Sequence, residues 1–424
     1  MKKPKFPLLL TLALSIATSI MPGTKVKAAE EQPAINGLAA ITLDYETGEI
    51  IYAKDIDEKM YPASTTKLMT ALLLAENKEK SDSITYTESA YKQPAYSLRS
   101  NIYFNLKVGD TMSAADVMNS LLLFSGNDTA YMVADAVAGD ADSFIKMMNE
   151  KAKALGMSST NFVTANGLHD PNHYTTAYDL AILGASAYKN EWVRESMGTK
   201  EAKITLLTTG QPAYIENRNK LLGVDGNLGG KTGYTDLAGK CLVSVYERDG
   251  RKIVGVVLRA AYDANDTMVF NDMQTIIDYS YGVEKTVLKP KNTEVGTAEL
   301  QYKAFKFFGP TKTIKVPYII KNDLMYYENN INKEEIKFDV KLNDMDPWKL
   351  SEEESIGKLM ISQRASQPTR NIDIYPTISS DALIAANKGL YIGGAIGAIV
   401  VLVLLVFIVS IIRRGSSRRR KSIY

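Results

Sequence analysis

Near its C-terminal end the sequence runs for 23 residues, Leu390 to Ile412, without a single charge. At 1.5 Å of helical rise per residue such a segment reaches roughly 34 Å, enough to cross the hydrocarbon core of a bilayer. Arg413, Arg414, Arg418, Arg419, Arg420 and Lys421 follow at once, and positive residues stay on the cytoplasmic side of a span. No other feature of the 424 residues constrains the chain so strongly. Whatever precedes Leu390 is expected to fold outside the cytoplasm, tethered at its end to the cell membrane.

The N-terminus agrees with that topology. Met1-Lys2-Lys3-Pro4-Lys5 is basic, a mostly apolar stretch follows, and Val26-Lys27-Ala28 offers the small residues a signal peptidase reads. Residues 1–28 are therefore expected to be a signal peptide, 390–412 a transmembrane helix and 413–424 a basic cytoplasmic tail. The formal net charge of +2 includes five lysines before residue 29 and six basic residues after 412. Removing these eleven leaves −9 for residues 29–412, which argues against nucleic acid as a partner. Cys241 is the single cysteine, so no intrachain disulfide can form and the fold must rest on its core. The thiol itself reads as an inert small hydrophobe in a strand.

Between the ends two textures alternate. Leu38–Asp44 and Glu49–Lys54 flank Glu46-Thr47-Gly48, a hairpin pattern, and Cys241–Tyr246 and Ile253–Leu258 flank Asp249-Gly250, a stronger one. Helical periodicity marks the segments that begin at Pro62, Ala114–Phe124, Ala130–Leu155, Thr176–Tyr188 and Asp272–Tyr279. Strands at both ends with helices between them predict an α+β domain over residues 29–285, an antiparallel sheet whose terminal strands meet under a cover of helices. Residues 286–385 change to short alternating segments broken by Gly, Pro and Asn, which predicts a small all-β domain. Its 14 basic and 14 acidic residues give no reason to expect a polyanion there.

The chemistry lies in Pro62-Ala63-Ser64-Thr65-Thr66-Lys67. A serine three residues before a lysine on a helix shares a face with it, and burial of that face would lower the amine enough to take the serine proton. Ser-x-x-Lys also occurs at Ser89/Lys92, Ser143/Lys146, Ser186/Lys189 and Ser355/Lys358, so spacing alone is weak. Only Ser64 follows a Pro-Ala at a helix start and precedes the apolar stripe Leu68 to Leu74.

Ser125-Gly126-Asn127 and Lys231-Thr232-Gly233 follow in order. With Ser64-Thr65-Thr66-Lys67 they resemble the three signature motifs of penicillin-binding proteins and serine β-lactamases. Tyr61–Lys67, Asn166-Gly167-Leu168, His173–Leu180, Asn217-Arg218-Asn219 and Gly230–Thr235 narrow the resemblance to the low-molecular-mass D-alanyl-D-alanine carboxypeptidases, over roughly residues 35–385.

That resemblance implies a β-lactamase/transpeptidase-like fold and an acyl-enzyme on Ser64. Lys67 would be the base, Ser125, Asn127 and Lys231 would complete the catalytic set, and Thr232, Gly233, Tyr234 and Arg218 would bind substrate. It further implies peptidoglycan stem peptides ending in D-Ala-D-Ala as substrate, β-lactams as covalent inhibitors, and neither cofactor nor metal. One departure stands out: the place of a second carboxylate-binding arginine is taken by Val269.

Competing readings remain at this stage. His169 and His173, beside Asp170 and Asp179, raise a Ser-His-Asp triad or a metal site, although Pro171 argues against a helical ligand pair. A β-lactamase would need a Glu-x-x-Leu-Asn segment that is not recognisable here. A D,D-endopeptidase shares the motifs, and a wall-peptide or β-lactam sensor would bind without turnover. Gly393 and Gly397 form a G-x-x-x-G that could pack two spans together, with lipid-facing glycines as the plain alternative.

Overall fold

A computed structural model describes residues 32–94, 96–100, 105–364 and 370–420. The expected signal peptide, residues 1–28, lies outside the described residues.

Strands β1 (Ala39–Asp44) and β2 (Ile50–Lys54) form the first hairpin. Strands β3 (Asn227–Thr235), β4 (Gly239–Arg248) and β5 (Arg251–Ala260) close the same antiparallel sheet in the order β2-β1-β5-β4-β3. The terminal strands meet as the sequence predicts, with Ile41 opposite Val256. Asp249 and Gly250 have φ of 49° and 77°, the left-handed pair that a tight Asp-Gly hairpin requires.

Alternation along the strands sends side chains to both faces, and both are covered. Val243, Val245, Val254 and Val256 join a core beneath α1 (Lys67–Asn77), α2 (Asn127–Ala138) and α3 (Ala177–Lys189). Leu242, Tyr246, Ile253 and Val257 join Val269, Met273, Ile276 and Ile277 of α4 (Met268–Gly282). Burial on two faces is why these strands read as nearly continuous apolar runs.

One helical expectation needs correction. Ala130–Leu155 is not one helix: α2 ends at Gly139, whose φ of 88° is a left-handed cap, and Asp140 caps the next helix, Ala141–Ala154, by accepting from Ser143 N at 2.8 Å. Apolar periodicity does not register such a local change of backbone chemistry. The segment Ala114–Phe124 is helical over its expected length, an α-helix to Asn119 that continues as a π-turn over Ser120–Phe124.

A second antiparallel sheet follows, built from β6 (Glu294–Lys303), β7 (Thr311–Ile320), β8 (Lys337–Leu342), β9 (Gly357–Ser362) and β10 (Arg370–Pro376). Its order is β6-β7-β10-β9-β8, around Val316, Ile320, Leu359, Ile361 and Ile374. This part docks on the β1–β2 hairpin: Tyr327 OH donates to Asp44 Oδ2 at 2.9 Å and Asn332 Nδ2 to Ile50 O at 2.8 Å. Helix α5 (Lys388–Arg420) ends the described chain. Its segment Lys388–Arg413 has a mean hydropathy of 3.3 and is long and apolar enough to cross a membrane.

Candidate active site

Ser64 sits in a 3₁₀ turn, Ala63–Thr66, that leads into α1. Ala63 is held at φ 48°, a left-handed conformation that costs a non-glycine residue energy and marks a tightly determined turn. Helix α1 buries Lys67 completely. Its Nζ lies 2.8 Å from Ser64 Oγ, 3.0 Å from Asn127 Oδ1 and 2.7 Å from the Asn166 carbonyl oxygen. Burial, with the positive charge of Arg218 nearby, lowers the amine to about 7 against an opposing pull from Asp128. The lysines of the other four Ser-x-x-Lys pairs are all exposed.

The facing wall begins where the π-turn ends. Ser125 takes φ 71°, and Asn127 opens α2. Asp128, which the sequence reading missed, is fully buried and accepts from Leu98 N at 2.8 Å, Arg99 N at 3.0 Å and Tyr86 OH at 3.0 Å. Burial raises its carboxyl despite those bonds. Asn127 N donates to Tyr96 O at 3.0 Å, so Asp128 and Asn127 together hold Tyr96 over the cleft. An acid in the first turn of a helix is the one signal that could have flagged it.

Strand β3 supplies the third side. Lys231 is buried, donates to Thr232 O at 3.0 Å, and is held well below the usual lysine range by burial and by the charges of Lys67 and Arg218. A Cβ on Gly233 would lie 2.9 Å from Ser64 N and 3.1 Å from Pro62 O, so only glycine lets the strand press against the serine turn. On the other flank Gly167, at φ 84°, approaches so closely that a Cβ would fall 1.9 Å from Ala63 O.

Arg218 is held by its neighbours: Asn217 Nδ2 donates to Thr199 O at 2.9 Å and Asn219 Nδ2 to Asn227 Oδ1 at 3.0 Å. The guanidinium faces the ring of Phe124 at 5.0 Å.

The result is a cleft of about 440 Å³ whose lining includes Ser64, Ser125, Asn127, Arg218, Thr232, Gly233 and Tyr234. Lys67 and Lys231 reach it from beneath. Sequence reasoning did not foresee Tyr96, Lys240, Tyr262 and Asp266 in the same lining; Lys240 Nζ is paired with Asp266 at 2.6 Å. Val269 also lines the cleft, so the position matched to a second arginine presents an apolar surface.

The histidines take structural places. His173 Nδ1 accepts from Val163 N at 3.0 Å and Thr164 N at 3.1 Å, which puts the proton on Nε2, 2.9 Å from Thr66 Oγ1. Burial lowers it to about 4, so it is neutral and braces the serine turn. His169 packs edge-on against Tyr61 with ring centroids 4.7 Å apart. Among the described residues no three metal-ligating side chains converge.

With this geometry in hand, comparison with known proteins is decisive: residues 26–262 match the family described as D-alanyl-D-alanine carboxypeptidase. The chain belongs to this family. It is 35% identical over 277 residues to D-alanyl-D-alanine carboxypeptidase DacC of Escherichia coli, a match covering 62% of this chain and 66% of that relative. The crystal structure of the Streptomyces K15 DD-transpeptidase is 29% identical, covers 60% of this chain and all of its own, and superposes with a TM-score of 0.55. Penicillin-binding protein 5 from Haemophilus influenzae, at 23% identity, shows the fold alone, but over 83% of this chain and 99% of its own, with a TM-score of 0.59. The likeness of fold thus extends past the first sheet into the second.

Proposed function

We propose that this family member is a membrane-anchored, penicillin-sensitive serine carboxypeptidase that removes the terminal D-Ala from peptidoglycan stem peptides. The observation that carries the reading is the set of three partners around Lys67 Nζ. A neutral amine has two N–H groups and one lone pair. Asn127 Oδ1 and the Asn166 carbonyl accept the N–H groups, which leaves the lone pair for Ser64 Oγ at 2.8 Å.

In this mechanism Lys67 takes the Ser64 proton as Oγ attacks the carbonyl of the penultimate D-Ala. The backbone N–H groups of Ser64 and Tyr234 stabilise the oxyanion; losing one such donor typically costs about 10²–10³ in rate. Ser125, assisted by Lys231, relays that proton from Lys67 to the departing D-Ala amine, and Asn127 holds the substrate amide. Arg218 and Thr232 receive the terminal carboxylate. Water then hydrolyses the ester on Ser64 and frees the shortened peptide.

The same reading assigns residues 29–285 to catalysis, 286–385 to a spacer and α5 to the membrane anchor. Release of free D-Ala from diacetyl-L-Lys-D-Ala-D-Ala by the full chain in detergent, with Ser64→Ala alongside, tests it. Release abolished by the substitution is expected. A folded protein that acylates with penicillin yet releases no D-Ala would overturn carboxypeptidase activity in favour of cross-link cleavage or sensing, and would point to Val269.

A further inference from the structure

The turn joining β6 to β7, Ala304 to Pro310, does not belong to the cleft or to the seam between the two sheets. We propose that it is a second membrane contact, in which Phe307 and Phe308 enter the lipid surface beside the point where α5 does. The proposal rests on the reading of α5 as a membrane anchor.

Phe307 is 84% exposed and Phe308 67%, and Phe307 is the most exposed large apolar side chain among the described residues. Adjacent exposed phenylalanines at a strand turn are costly in water and call for a covering surface. The turn holds a definite shape. Phe305 N donates to Phe308 O at 3.1 Å, Ala304 N to Pro310 O at 3.1 Å, and the rings of Phe305 and Phe308 stack at 5.1 Å.

Its position is tied to α5. Tyr391 OH donates to Ala304 O at 2.6 Å, and its ring lies 5.4 Å from that of Phe305. Asn387 Nδ2 donates to Tyr302 OH at 2.9 Å. Tyr391 is the second residue of the uncharged run that begins at Leu390, so the turn is fastened at the level where the chain meets the bilayer.

The surroundings have the composition of a bilayer interface. Trp348 Nε1 donates to Lys303 O at 3.2 Å and its ring lies 6.1 Å from Tyr302. Trp348 and Tyr391, both partly exposed, therefore stand at the base of α5 over the buried Tyr302 and supply the amphipathic aromatics that favour headgroup depth. Lys303, Lys306 and Lys312 flank the turn, and no acidic residue lies between Leu300 and Thr313, which suits an anionic leaflet. Continuity with α5 is what selects lipid, and not a protein, as the occupant. A helix alone would leave the ectodomain free to swivel about one tether. Two contacts fix its tilt and hence the direction in which the cleft opens.

The test uses the full chain carrying Phe308→Cys, labelled with an environment-sensitive NBD dye, in phosphatidylcholine/phosphatidylglycerol vesicles. Cys241 is buried, with its thiol pushed up to about 11 by that burial, so the dye goes to the introduced cysteine. Ile399→Cys, in the uncharged run, and Thr297→Cys, on exposed β6, supply the lipid and water references. The label at 308 is expected to be quenched by lipids spin-labelled near the headgroup and to be several-fold less accessible to iodide than the label at 297. A label at 308 as accessible as that at 297, with 399 in lipid, overturns the contact and leaves the anchor standing. Iodide protection at 308 without quenching by spin-labelled lipid also overturns it, in favour of a protein cover. Accessibility at both 308 and 399 overturns the anchor reading and this proposal with it.

Discussion

Two regions of this molecule bury charge, in opposite ways. In the cleft Lys67 and Lys231 are both buried, and among the described residues neither has a carboxylate within ion-pair distance. At the seam between the β1–β2 hairpin and the second sheet, buried charge faces its opposite. Glu49 lies 3.0 Å from Lys285 and 3.4 Å from Arg370, and Arg364 bridges Asp57 at 2.7 Å and Glu335 at 2.6 Å. Burial would raise the Asp44 carboxyl, yet Lys285 and the bonds from Thr47 and Tyr327 outweigh it and lower the group. The same residue type thus stands without a carboxylate in one place and beside carboxylates in the other. Complete burial without a paired carboxylate separates the lysines of the cleft from Lys285 at the seam.

The largest effect that would break this contrast is at Lys67. Lys67→Met is expected to lower the second-order rate of acylation by about 10²–10⁴, the usual contribution of a general base, as read by stopped-flow reaction with penicillin. It should also flatten the pH dependence of stability. The folded amine titrates near 7 and the unfolded one near 10.5, so folding releases a proton between those values and stability rises with pH across that window. Denaturant melts of both forms from pH 7 to 10 check this; an unchanged slope in the variant would count against a neutral lysine.

Gly233→Ala comes next. Its methyl would press on Ser64 N and displace the serine turn, and a misplacement of about 1 Å costs roughly 10²-fold in rate; D-Ala release with the melting temperature as control measures it. Lys285→Met should do the reverse. It leaves Asp44 without its cation and Glu49 with Arg370 alone, and half of the usual cost of breaking a buried pair, about 2 kcal/mol, is expected because Lys285 is partly exposed. Hydrolysis of a soluble peptide should be unchanged. The smallest effect concerns His173, whose neutral folded form titrates near 4 against an ordinary 6.5. Its contribution is complete above 6.5 and is lost as pH falls toward 4, so His173→Gln should flatten the acid limb of the stability curve.

The same contrast explains what could be read from the sequence. Ser64 separated from four other Ser-x-x-Lys pairs because a Pro-Ala start and an apolar stripe both predict burial, and burial is what the lysine needs. The meeting of β1 with β5 followed from hairpin signals at the two ends of the domain. Asp128 was missed because its partners, the backbone amides of Leu98 and Arg99 and the hydroxyl of Tyr86, lie about thirty to forty residues away and show no pattern linking them to it. The Asn166 carbonyl on Lys67 leaves no more trace. The left-handed conformations of Ala63 and Ser125 are imposed by Gly167, Gly233 and the π-turn, contacts that exist only once the chain has folded. The seam was invisible for a related reason: Asp57, Glu335 and Arg364 are far apart in sequence, and each alone looks like a solvated charge.

The most direct test of the central claim, that a buried and unpaired Lys67 is the base for Ser64, is the pH profile of Ser64 acylation by benzylpenicillin in the full-length protein. Acylation rising through an inflection near pH 7 and reaching a plateau above it, with the inflection lost in Lys67→Met, is the predicted result. A rate that is flat through 7 and climbs only near 10 would show a lysine that stays charged in the cleft, and would contradict the account.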